Sequence, residues 1–244
     1  MQRWAMGTLM ALSLAATPCL AQDDVDEIVV TAQRYQERYE HAAMPAVAIV
    51  RRADFVVAHV TVESDTRDLA ARRAELLQTL SELDRRARAN GPVSVALLEE
   101  SEDDAGDTRV KSFSASAAQA QIAGGTRPDT SSVAILLRTR VAPSDSLAST
   151  EERLDAFMRT LPKPGRVTLT SGDPALTIVN PGQYRTEVIA AMTADAKAIL
   201  AAVGPGHGVH IDGLEGRIAW RRSGDLELTL YIPHHLQIEP APAP

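Results

Sequence analysis

A single cysteine in 244 residues rules out an intrachain disulfide framework and any zinc site built on several cysteines. Aromatic residues make up only 4% of the chain, too few for base-stacking surfaces or aromatic sugar platforms. Basic residues are in the minority: 25 Lys and Arg stand against 32 Asp and Glu, a formal charge of −7. A phosphate-backbone binder needs the opposite, a clustered Lys/Arg surplus, so nucleic acid is excluded as a partner. No stretch of the chain reaches the roughly 18 consecutive apolar residues of a membrane-spanning helix. What is left, 45% hydrophobic and 23% charged, is a globular composition. It is long enough for one or two small domains with a real core.

Residues 1–21 read as a secretory signal peptide. Arg3 supplies the positive start, residues 4–16 are apolar or small and uncharged, and Cys19-Leu20-Ala21 puts small residues before a cleavage point at Ala21-Gln22. The expected location is the periplasm or cell envelope. Cys19 also admits a rival reading as a lipid-modified first residue, but Pro18 stands where such signals want Gly or Ala. Residues 22–43 form a leader that is acidic at its start (Asp23, Asp24, Asp26, Glu27) and carries one β-prone run, Ile28-Val29-Val30-Thr31.

The folded body is expected over residues 44–239, with residues 240–244 as a tail. Residues 45–50 and 54–63 are rich in Val and Ala, and the second run is apolar on both faces, which predicts a buried strand. Leu69, Leu76, Leu77, Leu80, Leu83 and Ala87 recur at helical spacing, with Asp65 or Thr66 as the expected cap and Asn90-Gly91-Pro92 as the stop. Further strands are expected at 93–98, 109–116 and 132–141. Ser149 with Glu152 forms an expected capping box for a short helix that ends at Pro162.

Strands at 166–170 and 175–179 break at Ser171-Gly172-Asp173-Pro174. Asn180-Pro181 then reads as an N-cap followed by proline at the first helical position. Val188, Met192, Ile199 and Val203 form the main stripe of that second long helix, which Gly204-Pro205 ends. Strands at 209–211, 217–221 and 225–232 close the chain, the last alternating Leu226, Leu228, Leu230, Ile232 as a half-buried strand. Hairpins separated by two long helices and one short one predict an α+β fold with antiparallel or mixed sheet.

Candidate chemistry is thin. His207 and His210 have a spacing that suggests a metal or small-ligand site with Asp212 nearby, the alternative functional reading. Yet no Cys or carboxylate cluster completes it, and the Gly-rich flanks fit a loop. His234-His235 are adjacent, and adjacent strand residues face opposite ways. The acidic run at 99–104 lacks the closing Glu of a calcium loop, and no Gly-x-Ser-x-Gly elbow or phosphate loop occurs. No catalytic residue and no cofactor is expected.

Two resemblances add to this. Ala53-Asp54, the strand at 55–63 and the amphipathic helix at 69–91 that ends at Gly resemble the SIMPL-domain family of bacterial envelope proteins. So does the Ala-rich helix at 188–204 with Ala194-Asp195-Ala196-Lys197 inside it. The resemblance covers about residues 46–238; it departs from the family at Ile49-Val50-Arg51-Arg52, where a Gly-x-Gly strand is usual, and at Ala53, where Pro is usual. It implies an envelope-associated α+β protein that self-assembles into homo-oligomers, with no catalytic centre to carry over.

Separately, Asp26-Glu27-Ile28-Val29-Val30-Thr31-Ala32-Gln33-Arg34 is similar to the TonB box of outer-membrane receptors. That likeness implies that Glu27, Ile28, Val29, Val30, Thr31 and Ala32 dock the TonB C-terminal domain by strand addition. The chain is too short for a receptor's barrel. The plain alternative is a flexible leader or a first edge strand of the domain. The expected function is that of an exported, non-enzymatic interaction protein.

Overall fold

The computed structural model describes residues 27–30, 46–89, 91–100, 108–125 and 127–240. The expected signal peptide at residues 1–21 with Cys19, Thr31 and Ala32, the acidic run from Ser101 on, and residues 241–244 lie outside the described residues. The first half of the chain runs β1 (Glu27–Val30), β2 (Ile49–Arg52), β3 (Phe55–Ser64), α1 (Leu69–Ala87), β4 (Val93–Glu100), β5 (Thr108–Ser112), α2 (Ala115–Ala120) and β6 (Ala123–Gly124). There follow β7 (Ser131–Arg140), α3 (Leu147–Thr160), β8 (Val167–Ser171), β9 (Ala175–Val179) and a single 3₁₀ turn (Pro181–Tyr184). Then come α4 (Arg185–Val203), β10 (His207–Asp212), β11 (Ala219–Arg222), β12 (Glu227–Tyr231) and β13 (His235–Pro240).

The fold is α+β, and all its ladders are antiparallel. An eight-stranded sheet has the order β1-β9-β3-β7-β4-β5, with β6 added to β7 and β8 to β3. A three-stranded sheet, β11-β12-β2, and a two-stranded ribbon, β10-β13, complete it. Strand β3 organises the large sheet. It pairs with β7 over its whole length, and with β9 and β8 in turn along its other edge. The break between β8 and β9 falls at Gly172, whose N–H donates to the His59 carbonyl at 2.9 Å.

The period-2 pattern of β3 explains its two faces. Val56, Ala58, Val60 and Val62 enter the main core, together with Val133, Ile135 and Leu137 of β7 and Val93, Val95 and Leu97 of β4. Helices α1, α2 and α3 cover this side, α1 and α3 against β3, β4 and β7. The same core continues through Leu228 and Leu230 of β12 into Val188 and Met192 of α4. On the opposite face a second, smaller core gathers Val57, Ala96, Leu136 and Ala175, flanked by Phe55, Leu98 and Val110. Every member comes from a strand, and the sheet curls so that β1 comes within 8 Å of β5, Cα to Cα.

Several local expectations need correction. Helix α1 is capped by Asp68, which accepts from the Ala71 N–H at 2.8 Å, and not by Asp65 or Thr66. Those two residues are engaged elsewhere: Asp65 with Arg127 and Arg166, Thr66 with Glu75. The strand expected at 109–116 stops at Ser112, because Ser114 caps the Ala-rich α2 by accepting from the Ala117 N–H. The capping box of α3 joins Ser146 and Ser149, one turn ahead of the expected Ser149–Glu152 box.

Asn180 holds the N-cap position with Pro181 next to it, but of a 3₁₀ turn that precedes α4 and not of α4 itself; it sits in the left-handed region at φ 46°, and its side chain makes no cap hydrogen bond. Strand β12 is not half-buried. Thr229 and Tyr231 are buried as well as Leu228 and Leu230.

Candidate interaction edge

Ile28, Val29 and Val30 are β-branched and suit an extended backbone. In the fold, β1 is the terminal strand of the large sheet and pairs with β9 in the register Glu27↔Val179, Ile28↔Ile178, Val29↔Thr177, Val30↔Leu176. The direction of the hydrogen bonds follows from the neighbouring ladder. His59, an odd-numbered residue of β3, turns its carbonyl toward β8 and β9. Phe55 and Val57 therefore exchange bonds with Thr177 and Ala175 opposite them. The N–H and C=O groups of Leu176 and Ile178 are left for β1, where they meet Val30 and Ile28. The backbone of Glu27 and Val29 points the other way, toward β5, with no ladder between the two strands.

Beside the Glu27 end of this ladder lies a cleft of about 420 Å³ lined by Asp54, Phe55, Arg140, Val179, Asn180 and Gln183. The Asp54 carboxylate accepts from the Val179 N–H at 2.8 Å, and the Gln183 amide donates to the Val179 carbonyl at 2.8 Å. Arg138 and Arg140 both lie over the Phe55 ring, at 4.3 and 5.1 Å from its centroid. This stack had no signal in the sequence, because only the β3–β7 register brings residue 55 to 138 and 140.

A second cleft, of about 320 Å³, is lined by residues that include Arg52, Asp145, Ser146 and Glu227. Arg52 donates to the carbonyls of Ala142 and Asp145 there. The Ala142 N–H and then Arg153 hold the Asp145 carboxyl below its ordinary value, against the opposing effect of burial. These are structural tethers for the start of α3.

The sequence-predicted histidines are not brought together. His207 and His210 stand three apart on β10, and so on opposite faces, both exposed. His210 Nε2 lies 2.9 Å from Asp212 Oδ1, and His234 Nδ1 lies 2.9 Å from the Ile232 carbonyl. Among the described residues no three His, Cys, Asp or Glu side chains gather to hold a metal ion. No described helix is long and apolar enough to cross a membrane.

Fold and geometry together define an α+β protein of antiparallel sheets, with a short N-terminal strand on the edge of the largest. No family model, curated protein or solved structure matches the chain.

Proposed function

We propose that this is an exported, non-enzymatic interaction protein of the bacterial envelope, with a SIMPL-like α+β body and an N-terminal strand that docks TonB by strand addition. The observation that carries this reading is β1 itself. Glu27–Val30 is extended and engages a sheet edge through its backbone, the conformation and bonding that strand addition requires. The segment follows an expected signal peptide and resembles a TonB box, which supports the periplasm as the place of action.

The test is calorimetric titration of the exported protein with the TonB C-terminal domain, beside a deletion of residues 23–34. Saturable binding that disappears with the deletion is the expected result. Absence of heat from the undeleted protein at high micromolar concentration refutes docking.

A further inference from the structure

Neither backbone edge of β1 is open. One is paired: Ile28 and Val30 face Ile178 and Leu176 of β9. The other, carried by Glu27 and Val29, faces β5 across the gap where the curled sheet nearly closes. A partner's sheet edge needs one of these two edges free, because each N–H donates into a single ladder. From this we infer that β1 is a masked docking strand, and that the edge of β9 is the internal competitor a partner has to displace.

This inference rests on the docking reading above and adds its regulation. The chain that follows β1 leads through β2 to β3, the strand beside β9, and so tethers β1 to the sheet that competes for it. A strand tethered in this way meets its internal acceptor at an effective concentration of millimolar order. Withdrawal of β1 has two structural consequences. It frees the N–H and C=O groups of Leu176 and Ile178, and it widens the gap between β9 and β5 beside the second core of Val57, Ala96, Leu136 and Ala175. Docking is therefore coupled to opening of the sheet.

A cross-strand disulfide tests this. Val29 and Thr177 form a non-hydrogen-bonded pair, where the facing Cα atoms lie about 4.5 Å apart and suit a disulfide. Val29→Cys/Thr177→Cys is made in full-length protein that also carries Cys19→Ser, so that no other thiol is present. Glu27→Cys/Val179→Cys, the other pair of this type, serves if the buried Thr177 position does not tolerate the change.

Each is titrated with the TonB C-terminal domain when oxidised and when reduced, and amide exchange is followed at Leu176 and Ile178. The oxidised protein is expected to bind about tenfold or more weakly than the reduced one, because the cross-link holds β1 on β9. In the reduced protein, bound TonB domain is expected to speed exchange at Leu176 and Ile178. Equal affinity in both states overturns the masking. Failure of both pairs to cross-link, with binding intact, overturns the masking and leaves the docking reading standing. Efficient cross-linking, with no binding by the unsubstituted protein either, overturns both, and makes β1 a fixed edge strand.

Discussion

The two longest helices, α1 and α4, are both 19 residues long, yet they are held in different ways. By composition α4 is the more apolar: Ala, Val, Ile, Leu and Met surround it, and α1 carries Arg72, Arg73, Arg85 and Arg86. Burial runs the other way. Helix α1 buries Arg72, Leu76, Thr79, Leu80 and Leu83, and α4 only Val188, Met192 and Ala196, with Val203 39% exposed. The difference lies in what each covers. Helix α1 lies on the eight-stranded sheet against β3, β4 and β7, and α4 meets the edge strand β2 and the β10-β13 ribbon. Alanine favours the helix without supplying much area to bury, so an apolar composition is no measure of anchoring.

The sharpest way to break this contrast is truncation in each core stripe. Leu80 and Met192 are both fully enclosed. Leu80→Ala is expected to cost about 4 kcal/mol, toward the upper end for buried leucines, since neighbours from sheet and helices fix the cavity. Met192→Ala is expected to cost about 2 kcal/mol, because α4 can settle onto a smaller sheet. Urea unfolding of both variants measures this, and equal losses remove the distinction.

Arg72 gives the next largest effect. Its buried guanidinium donates to Ser131 Oγ at 2.9 Å and to the carbonyls of Thr66 and Asp129 at 2.9 and 2.6 Å. It thereby ties α1 to the loop that leaves β3 and the loop that enters β7, at the one end of the pair where Ser64 faces Ser131. Arg72→Met keeps the aliphatic stem and leaves those acceptors without their donor, at an expected cost of about 2 kcal/mol. On α4 the counterpart is Arg185, which donates to the Leu214 and Gly216 carbonyls. Arg185→Met is expected to cost about 1 kcal/mol, since water can reach those groups more easily. Reversal of the order in thermal unfolding contradicts the assignment.

How far these features were readable follows from their range. A short run apolar on both faces located β3, and helical spacing located α1 and α4, because both patterns are local. The break between β8 and β9 was readable from Gly172-Asp173-Pro174. Caps were misplaced by up to a turn: Asp65, Thr66 and Asp68 are all competent cap residues, and only tertiary partners decide among them. The last strand, β13, was not expected: Leu236 and Ile238 do alternate with His235, Gln237 and Glu239, but the run is short and largely exposed, and it is its pairing with β10 that makes it a strand. At the candidate edge, the propensity of Ile28-Val29-Val30 was legible, but the choice of β9 as its acceptor is a contact across about 150 residues. No local pattern encodes that choice.

Acid acts on α1. Burial raises the Asp65 carboxyl, but Arg166 and Arg127 outweigh it and hold it below its ordinary 3.8. Ser64 and Thr66 lower Glu75, and hydrogen bonds from Arg85 and Arg86 bring Glu82 down to about 2. All three lie on α1 or just before it. Their folded values sit below the ordinary 3.8 and 4.5, so their stabilisation is present above about pH 5 and is lost as pH falls from there toward 2. Glu75→Gln is expected to leave a flatter fall in the urea midpoint between pH 5 and 3 than the unmodified protein shows. An equally steep fall in the Glu75 variant rejects this placement of the acid response.

The smallest expected effect lies at the helix starts. Asp68 accepts from the Ala71 N–H, and it satisfies one of the free donors in the first turn of α1. Helix α4 has no side-chain cap at Tyr184; the 3₁₀ turn from Pro181 feeds it, and proline there has no N–H to satisfy. Asp68→Ala is therefore expected to cost about 1 kcal/mol. Asn180→Gly is expected to change stability by less than about 0.5 kcal/mol: the side chain caps nothing, and glycine takes the left-handed φ of 46° without penalty. Chemical denaturation with a fixed slope resolves the two. A loss at Asn180 as large as that at Asp68 means that the turn before α4 holds the helix through the Asn180 side chain, and not through backbone geometry alone.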